Sequence, residues 1–525
     1  MKRVILVLFL SAIIGVSGLR AGTFREATKD GIPGQYIVVL REGSAKLGIG
    51  TKASPLPSVA DAAAGLAKRY GVSIEKVWDR ALRGFVMQAA EEDAKKLASH
   101  PWVESVEQSF VGKADDLISS PVRSCYSLDS YPWGSLIGRP VPSASPQTIT
   151  CDDSDPTHDL GSPTQAPRCR DNWGLDRIDQ RSSIRDGLYT FDRTGRVPGV
   201  VHPVIMFLDL GLNARHQEFI GLNGRNRAAV IDMSGDRSCP IDSDTFGHGT
   251  HVAAIAAGRT FGVAKDVDVL MIRATDCAIR YKPEWVISAL ETAAYRRPGV
   301  LSWSGGNAQY VVASPAIRTA VQGVVNSGVL VVQAAGNQSS PYVIPGTSPA
   351  AYPTKVEDAC SWTFGSIPGV VVVGGVDQNG SRWTRHLSGD LPGNFCPPPG
   401  CVPSSNCLAT ECVFPNNPSQ CVPLDCGSNV GSCIDLWAPS ANILSAAGPP
   451  DDAYTYCRLS GTSMAAPHVA GVVALYLQAH PSASPAEIEA VLKSSATAGV
   501  LNTNPSSPNQ IGPGSPNLLL YSKVP

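Results

Sequence analysis

Pro203-Val-Ile-Met-Phe-Leu-Asp-Leu-Gly211 runs five apolar residues into a carboxylate and then a glycine-ended turn. A continuous apolar run of strand length, unlike an alternating one, marks a strand buried on both faces, as in a parallel sheet covered by helices. Similar runs follow at Val269–Ile272, Val300–Ser304, Val329–Ala334 and Val370–Val376, with helix-like patterns between them at His248–Ala257, Glu284–Tyr295 and Pro315–Asn326. Strands alternating with helices predict an α/β fold: a doubly wound, mostly parallel sheet with helices on both faces. Functional groups in such sheets gather beyond the carboxyl ends of the strands, so Asp209 is a candidate catalytic carboxylate. A lone aspartate there would otherwise read as a turn former.

Two longer stretches give that carboxylate company. Gly461-Thr-Ser-Met-Ala-Ala-Pro-His-Val-Ala-Gly471 sets Ser463 at the start of a buried helix predicted over Met464–Leu477. Unpaired N–H groups and the helix dipole favour negative charge there. A lone serine at a helix start is more often a cap, and it becomes a nucleophile only beside a base. Gly247-His-Gly-Thr-His-Val-Ala-Ala254 supplies one in His248, ahead of small residues suited to a tightly packed helix. His248 and His251 are spaced like a metal pair, but no third ligand motif accompanies them, and His251 reads as a packing residue.

The chain order Asp209, His248, Ser463 is that of the subtilisin triad. With these motifs, Asn172-Trp-Gly-Leu-Asp-Arg-Ile178, Arg259-Thr-Phe-Gly-Val-Ala-Lys265, Ala334-Ala-Gly-Asn337 and Gly431-Ser-Cys-Ile-Asp-Leu-Trp-Ala-Pro439 resemble the subtilisin-like serine proteases, more closely their proteinase K branch. The resemblance covers most of residues 171–500. It implies that Ser463 attacks, His248 takes the proton, Asp209 orients the imidazole, and the Asn337 amide with the Ser463 N–H binds the oxyanion. Ser304, Gly305, Gly306, Ala335 and Gly336 would line the substrate site, Ser304 to Gly306 as an edge for extended substrate. The branch commonly carries structural Ca²⁺, and Asp377 in Gly374-Gly-Val-Asp377 matches one of its ligands; no cofactor is implied for catalysis. Asn337-Gln-Ser also spells a glycosylation sequon, but a sugar there would block the pocket.

Two positions depart from the family pattern. Leu210 stands where a Thr or Ser usually follows the aspartate, so Asp209 loses one hydroxyl donor. Gly305 replaces a leucine in the segment Trp303-Ser-Gly-Gly306, removing an apolar wall; Trp303 itself reads equally well as core. An inactive binding module on this fold, or an enzyme acting on non-peptide esters, are the rival readings.

Composition sets the compartment. Net charge of −2 gives no reason to invoke nucleic acid or an anionic membrane. Met1-Lys-Arg followed by the apolar Val4–Val16 and small residues predicts a signal peptide over 1–22 and a secreted, extracellular protein with no membrane association after its removal. Fourteen cysteines suit an oxidising destination. Cys396, Cys401, Cys407, Cys412, Cys421 and Cys426 crowd a Pro- and Gly-rich insertion at about 387–428; without a Cys-x-x-Cys pair they read as disulfides rather than zinc ligands, and the segment's role stays open.

Residues 23–112 form the other predicted domain. A βαββαβ order, with strands at Tyr36–Leu40, Ile74–Trp78, Phe85–Gln88 and Val103–Glu107 and helices at Ser58–Tyr70 and Glu91–Ser99, predicts a small ferredoxin-like α+β domain. It resembles the subtilisin propeptide, which implies a chaperone and intramolecular inhibitor, hence an autoprocessed zymogen. A linker over 113–170 shows few helix or strand signals and holds Cys125, Cys151 and Cys169, an odd set that leaves one to pair elsewhere or stay free. The catalytic domain is expected over 171–525, and its Ser484-Pro-Ala-Glu487 predicts a capping box with Pro at the first helical position.

Overall fold

The computed structural model describes residues 22–41, 57–113, 125–127, 147–150, 173–191, 202–221, 224–241, 244, 247–265, 267–305, 309–339, 356–385, 426–447, 453, 455–507 and 509–525. The predicted signal segment, most of the linker and most of the Cys-rich insertion lie outside them. The chain divides into two compact units.

The smaller unit takes in Pro33–Val77 and Arg83–Gln108 with the stretch ending at Ala27. Its elements run β1 (Thr23–Arg25), β2 (Gly31–Leu40), α1 (Val59–Tyr70), β3 (Ser73–Trp78), β4 (Gly84–Gln88), α2 (Glu91–Ala98) and β5 (Val103–Phe110). The sheet order is β1-β5-β2-β4-β3, which is the expected βαββαβ arrangement with one extra edge strand, β1. Ser58 caps α1 by accepting from the Asp61 N–H at 3.1 Å, and Gly71 ends it in the left-handed conformation. Val59, Ala62, Ala63 and Leu66 make the i, i+3, i+4, i+7 stripe, buried with Tyr36, Val38 and Leu40 from alternate positions of β2.

The larger unit holds Ser109–Pro525 together with Thr28–Ile32 and Trp78–Leu82. Its elements are β6 (Gly112–Lys113), β7 (Cys125–Ser127), β8 (Gln147–Thr150), α3 (Trp173–Ile178), β9 (Leu188–Phe191), β10 (Val204–Asp209), β11 (Ala228–Asp232), α4 (His248–Ala257), β12 (Asp268–Arg273), β13 (Arg280–Tyr281), α5 (Pro283–Ala294), β14 (Gly299–Trp303), α6 (Gln309–Ala313), α7 (Pro315–Asn326), β15 (Leu330–Ala334), β16 (Val370–Val376), β17 (Thr384–Arg385), β18 (Cys426–Gly427), β19 (Leu436–Pro439), β20 (Ile443–Ala446), β21 (Thr455–Leu459), α8 (Thr462–Ala479), α9 (Pro485–Ser495), β22 (Thr497–Ala498) and β23 (Leu518–Leu519). The main sheet runs β11-β12-β10-β14-β15-β16-β19-β23-β22, every neighbouring pair parallel except the last.

That order makes the sheet doubly wound. α4 lies between β11 and β12 in the chain, and α7 between β14 and β15. Residues of α4 and α8 share one core with alternate residues of the strands, and the buried residues of α7 lie outside that core, so the two helices cover opposite faces. α8 packs on α4 and α5 on α7, completing the two layers. The face under α4 and α8 is lined by Ile205, Phe207, Val269, Met271, Val300, Val332 and Val371, all buried with Val252, Ile255, Val469 and Val473. Burying each such side chain is worth about 1.5–3 kcal/mol, so these helices are held by packing more than by propensity.

Two short strands fall within the predicted linker. β7 pairs antiparallel with β21, placing Cys125 opposite Cys457, and β8 pairs with β9. These strands are short and flanked by Ser and Pro, so no periodic signal announced them. Cys457 is disulfide-bonded. Cys239–Cys277 and Cys360–Cys433 are closed as disulfides, and Ser484 and Glu487 make the reciprocal capping box. Among the described residues no helix is long and apolar enough to cross a membrane.

Candidate active site

The sheet's winding direction reverses beside β10, and the candidate residues collect at the carboxyl ends of β10, β14 and β15. Phe207 is in register with Ser302, so Asp209 and Ser304, two residues further along each, reach the same level on neighbouring chains roughly 5 Å apart. Gly249 lets the first turn of α4 settle onto the chain just past Asp209: a Cβ at that position would lie 2.0 Å from the Gly211 carbonyl oxygen. His248 Nδ1 then stands 2.8 Å from Asp209 Oδ1, with both side chains buried. Oδ1 also accepts the Leu210 N–H at 2.8 Å. Oδ2, buried, has no hydrogen-bond partner among the described residues, which accords with a leucine standing where a hydroxyl donor is usual.

Asp244, four residues before the histidine, was given no role by sequence reasoning. It is buried, and its Oδ2 accepts the Thr250 N–H at 2.7 Å, tying down the first turn of α4. Burial works against the charged form of His248, but the Asp209 carboxylate, by charge and hydrogen bond, and then the Asp244 carboxylate outweigh it, so the ring's pKa lies above its ordinary value. Burial pushes Asp244 itself up to about 6, opposed by its bonds to Thr250 and reinforced by the charge of Asp209.

Ser463 is the second residue of α8. Gly461 caps the helix at φ 149°, ψ 163°, a conformation open essentially to glycine alone, and so turns the chain directly into the first turn. The Ser463 hydroxyl donates to the Ser304 carbonyl at 3.1 Å, and the Ser304 hydroxyl donates to the Ser463 carbonyl at 3.0 Å. The structure thus brings together Asp209 with His248 and Ser463 with Ser304, while His248 Nε2, buried, has no hydrogen-bond partner among the described residues.

Asn337 Oδ1 accepts from the Thr462 N–H at 2.9 Å and the Thr462 hydroxyl at 2.8 Å, fixing the amide with its oxygen toward the helix start. The Gly336 N–H in turn donates to Thr462 Oγ1 at 3.2 Å. Asn429, 91 residues or more away in sequence, holds this loop: it donates to the Ala335 carbonyl at 3.0 Å and accepts from the Gln338 N–H at 3.1 Å. No sequence signal pointed to it. Gly336 adopts φ 95°, and Ala335 is fully buried behind it. Gly305 is buried at the end of β14, and Gly306 lies outside the described residues. Trp303 is core, its ring tilted on Phe364 at 5.7 Å. His251 packs inward, as expected, with Nε2 3.0 Å from the carbonyls of Ile443 and Cys457.

Asp377, the residue matched to a Ca²⁺ ligand, is bonded within its own turn. Its Oδ1 accepts the N–H groups of Asn379 at 2.9 Å and Ser381 at 3.0 Å, the bonding of a turn-forming aspartate, and among the described residues no group of three or more His, Cys, Asp or Glu side chains is placed to hold a metal. A different pair was missed by sequence reasoning: Arg280 and Tyr281, on β13 beyond the carboxyl end of β12, pair antiparallel with Lys113 and Gly112.

Residues 203–514 match the family model "Subtilase family", and residues 35–115 match "Peptidase inhibitor I9". The chain is 29% identical over 503 residues to an extracellular serine proteinase of Thermus sp. strain Rt41A, spanning 94% of this chain and 90% of that one. It is 29% identical to alkaline serine exoprotease A of Vibrio alginolyticus, over 86% of this chain and 61% of the relative. It is 31% identical to subtilisin-like protease 10 of Arthroderma otae, over 67% of this chain and 68% of the relative. With the larger part of its length under one family model and that similarity extending through both ends of the sheet, the chain belongs to the subtilase family of serine proteases.

Proposed function

We propose that this protein is a secreted serine endopeptidase that cuts peptide bonds in proteins through Asp209, His248 and Ser463, and that it is made as a zymogen which processes itself. The observation that carries the mechanism is the buried imidazole of His248, pinned through Nδ1 to Asp209, with no partner at Nε2 among the described residues. Rotation of the Ser463 hydroxyl away from Ser304 toward Nε2 completes the relay; such bonds often tighten only when substrate is present. The hydroxyl then attacks the scissile carbonyl as Nε2 takes its proton. Asp209 stabilises the imidazolium, which returns the proton to the leaving amine, and water repeats the sequence on the acyl-enzyme. The Ser463 N–H, at the field-positive end of α8, and the Asn337 amide would hold the oxyanion.

Residues 23–112 are the inhibitor domain in this reading, and β6 on β13 supports it, because an extended segment added to a strand edge is how proteases commonly hold peptide. Cleavage follows shortly after Lys113, and the pairing of β7 with β21 supports retention of the remaining linker on the catalytic unit. Extracellular naming of relatives supports secretion after removal of 1–22. The test compares secreted wild type with Ser463→Ala by N-terminal sequencing, intact mass with and without reductant, and casein hydrolysis. Wild type is expected to begin just beyond Lys113, to label with a serine-directed phosphonate and to digest casein; the variant is expected to keep its propeptide and lose about 10⁶-fold in turnover. Robust hydrolysis by Ser463→Ala sinks the mechanism, and a mature N-terminus beyond Cys169 with no fragment released on reduction sinks the retained linker.

A further inference from the structure

Successive carbonyls of the loop that carries Asn337 are held by one segment, Gly427–Asn429. Those of Ala335, Gly336 and Asn337 accept from Asn429 Nδ2 at 3.0 Å, the Asn429 N–H at 2.9 Å and the Gly427 N–H at 3.3 Å. The Asn429 carboxamide offers a pair of donor hydrogens and a pair of acceptor positions, and the loop uses them all. Nδ2 also donates to Gln338 Oε1 at 2.7 Å, while Oδ1 accepts the Gln338 N–H at 3.1 Å and the Ser339 hydroxyl at 3.2 Å. Asn429 is fully buried. A carboxamide saturated in this way has no substitute. Alanine takes a partner from each of these groups, aspartate sets a carboxylate against two acceptors, and glutamine is a methylene too long.

The segment that supplies these partners is itself anchored. Gly427 lies in β18, opposite Thr384 of β17. The Ser428 N–H donates to the Trp383 carbonyl at 2.9 Å, and the Ser428 carbonyl accepts from Arg382 Nη1 at 3.0 Å. The Ser428 hydroxyl accepts the Gly375 N–H at 3.1 Å. At the bend of the loop, a Cβ on Gly336 would lie 2.4 Å from Gln338 Oε1 and 2.5 Å from Asn429 Nδ2, so the two carboxamides fill the space inside it. Asn337 is thus clamped twice: its side chain by Thr462 at the start of α8, its backbone neighbours on both sides by Asn429.

We propose that Asn429 is a positioning residue for the oxyanion site, fixing the loop so that the Asn337 amide is in place before charge develops on the substrate. The inference rests on the protease reading above and adds how that site is held. Donors aimed in advance at a developing oxyanion lower the barrier because nothing has to reorganise during the reaction. A misplacement of about 1 Å can cost on the order of 10²-fold. The bonds of the Asn429 side chain go to the loop and not to Asp209, His248 or Ser463, so its effect on turnover passes through Asn337.

The test measures kcat and KM on a peptide amide, with thermal melts, for secreted mature wild type, Asn429→Ala, Asn429→Asp, Asn337→Ala and the double variant lacking both asparagines. Variants slow to process themselves are matured with tagged wild-type enzyme, which is then removed. Asn429→Ala and Asn429→Asp are expected to lower kcat by about 10- to 100-fold with KM within about threefold, a smaller loss than the roughly 10²–10³ of removing an oxyanion donor outright. In the Asn337→Ala background, removing Asn429 is expected to cost no more than about twofold further, because the donor it places is gone. A merely structural asparagine would lower the melting temperature and cost the same factor in both backgrounds. Should the Asn429 variants fail to fold, the same comparison with Gln338→Ala decides, since it removes a single bond of the set and is expected to lower kcat several-fold only where Asn337 is present. A kcat within about twofold of wild type in the folded variant, or an equal fractional loss with and without Asn337, overturns the positioning role while leaving proteolysis intact. No hydrolysis by wild type overturns the protease reading and this inference with it.

Discussion

The first turn of α4 and the turn that follows it bury two histidines almost equally and give them opposite acid–base character. His248 faces Asp209 and Asp244, and its pKa rises despite burial. His251, three residues on, faces two backbone carbonyls; burial dominates, and its pKa falls to about 3, so it stays neutral throughout the working range. His468 in α8 follows the second pattern, bonded to the Met464 carbonyl at 2.8 Å and pushed down to about 4 by burial. Burial alone thus makes a packing residue of a histidine, and a buried carboxylate at hydrogen-bond distance makes one that can exchange a proton.

Substituting the two histidines in turn would separate these roles most sharply. His248→Ala is expected to cost about 10⁵–10⁶ in kcat/KM with little change in melting temperature, since it removes the base itself. His251→Ala is expected to do the reverse, lowering stability by about 2–4 kcal/mol through a cavity and two carbonyls left bare, while the folded fraction keeps its kcat/KM within about threefold. Thermal melts and active-site-titrated kinetics on both variants check the contrast; a large catalytic loss in folded His251→Ala would break it.

The charges around His248 predict a pH signature. Catalysis needs the neutral ring, so the acid limb of kcat/KM should be centred above the ordinary histidine value of about 6.5. Asp244→Asn removes one of the two negative charges and should move that limb to lower pH, a change that repacking alone would not make. The stability signs follow. A raised His248 pKa contributes stability in full below about 6.5 that is lost as pH rises through the folded-state value. A carboxyl held up to about 6 at Asp244 likewise favours the folded state most when protonated, and its contribution declines as pH climbs from about 4 to about 6. Potentiometric or NMR titration of His248 in wild type and Asp244→Asn reads the shift directly; an unmoved limb would remove Asp244 from the electrostatics of the site.

The smallest effect is expected at Leu210. Leu210→Thr offers a hydroxyl to the Asp209 oxygen that now lacks a partner, worth about 0.5–1.5 kcal/mol of stability if the geometry closes, with kcat/KM changed by no more than a few-fold. Paired melts and rate measurements decide it, and a lower melting temperature would show that the apolar contact of the leucine outweighs the missing bond.

Much of this was legible before any coordinates. Continuous apolar runs announced the parallel strands because a strand covered on both faces needs no alternation, and helix α4 fell at the predicted His248–Ala257. The Ser463 helix proved longer, Thr462–Ala479, because Gly461 is itself the cap; Pro467 lies inside it, and the Ser463 carbonyl left without its helical N–H accepts the Ser304 hydroxyl. Strands β7, β8, β20 and β21 left no trace in periodicity, being only three to five residues long.

The primary structure by itself determined the fold class, the family and the candidates for the reactive side chains, because those depend on local patterning and on motifs in which neighbouring residues specify one another. Only the tertiary structure decided that Asp244 shares the environment of His248 and that Asn429 braces the loop of Asn337. Each of those rests on a through-space distance of a few ångströms between groups whose local sequence carries no record of the other, and electrostatic and steric energies depend on that distance alone.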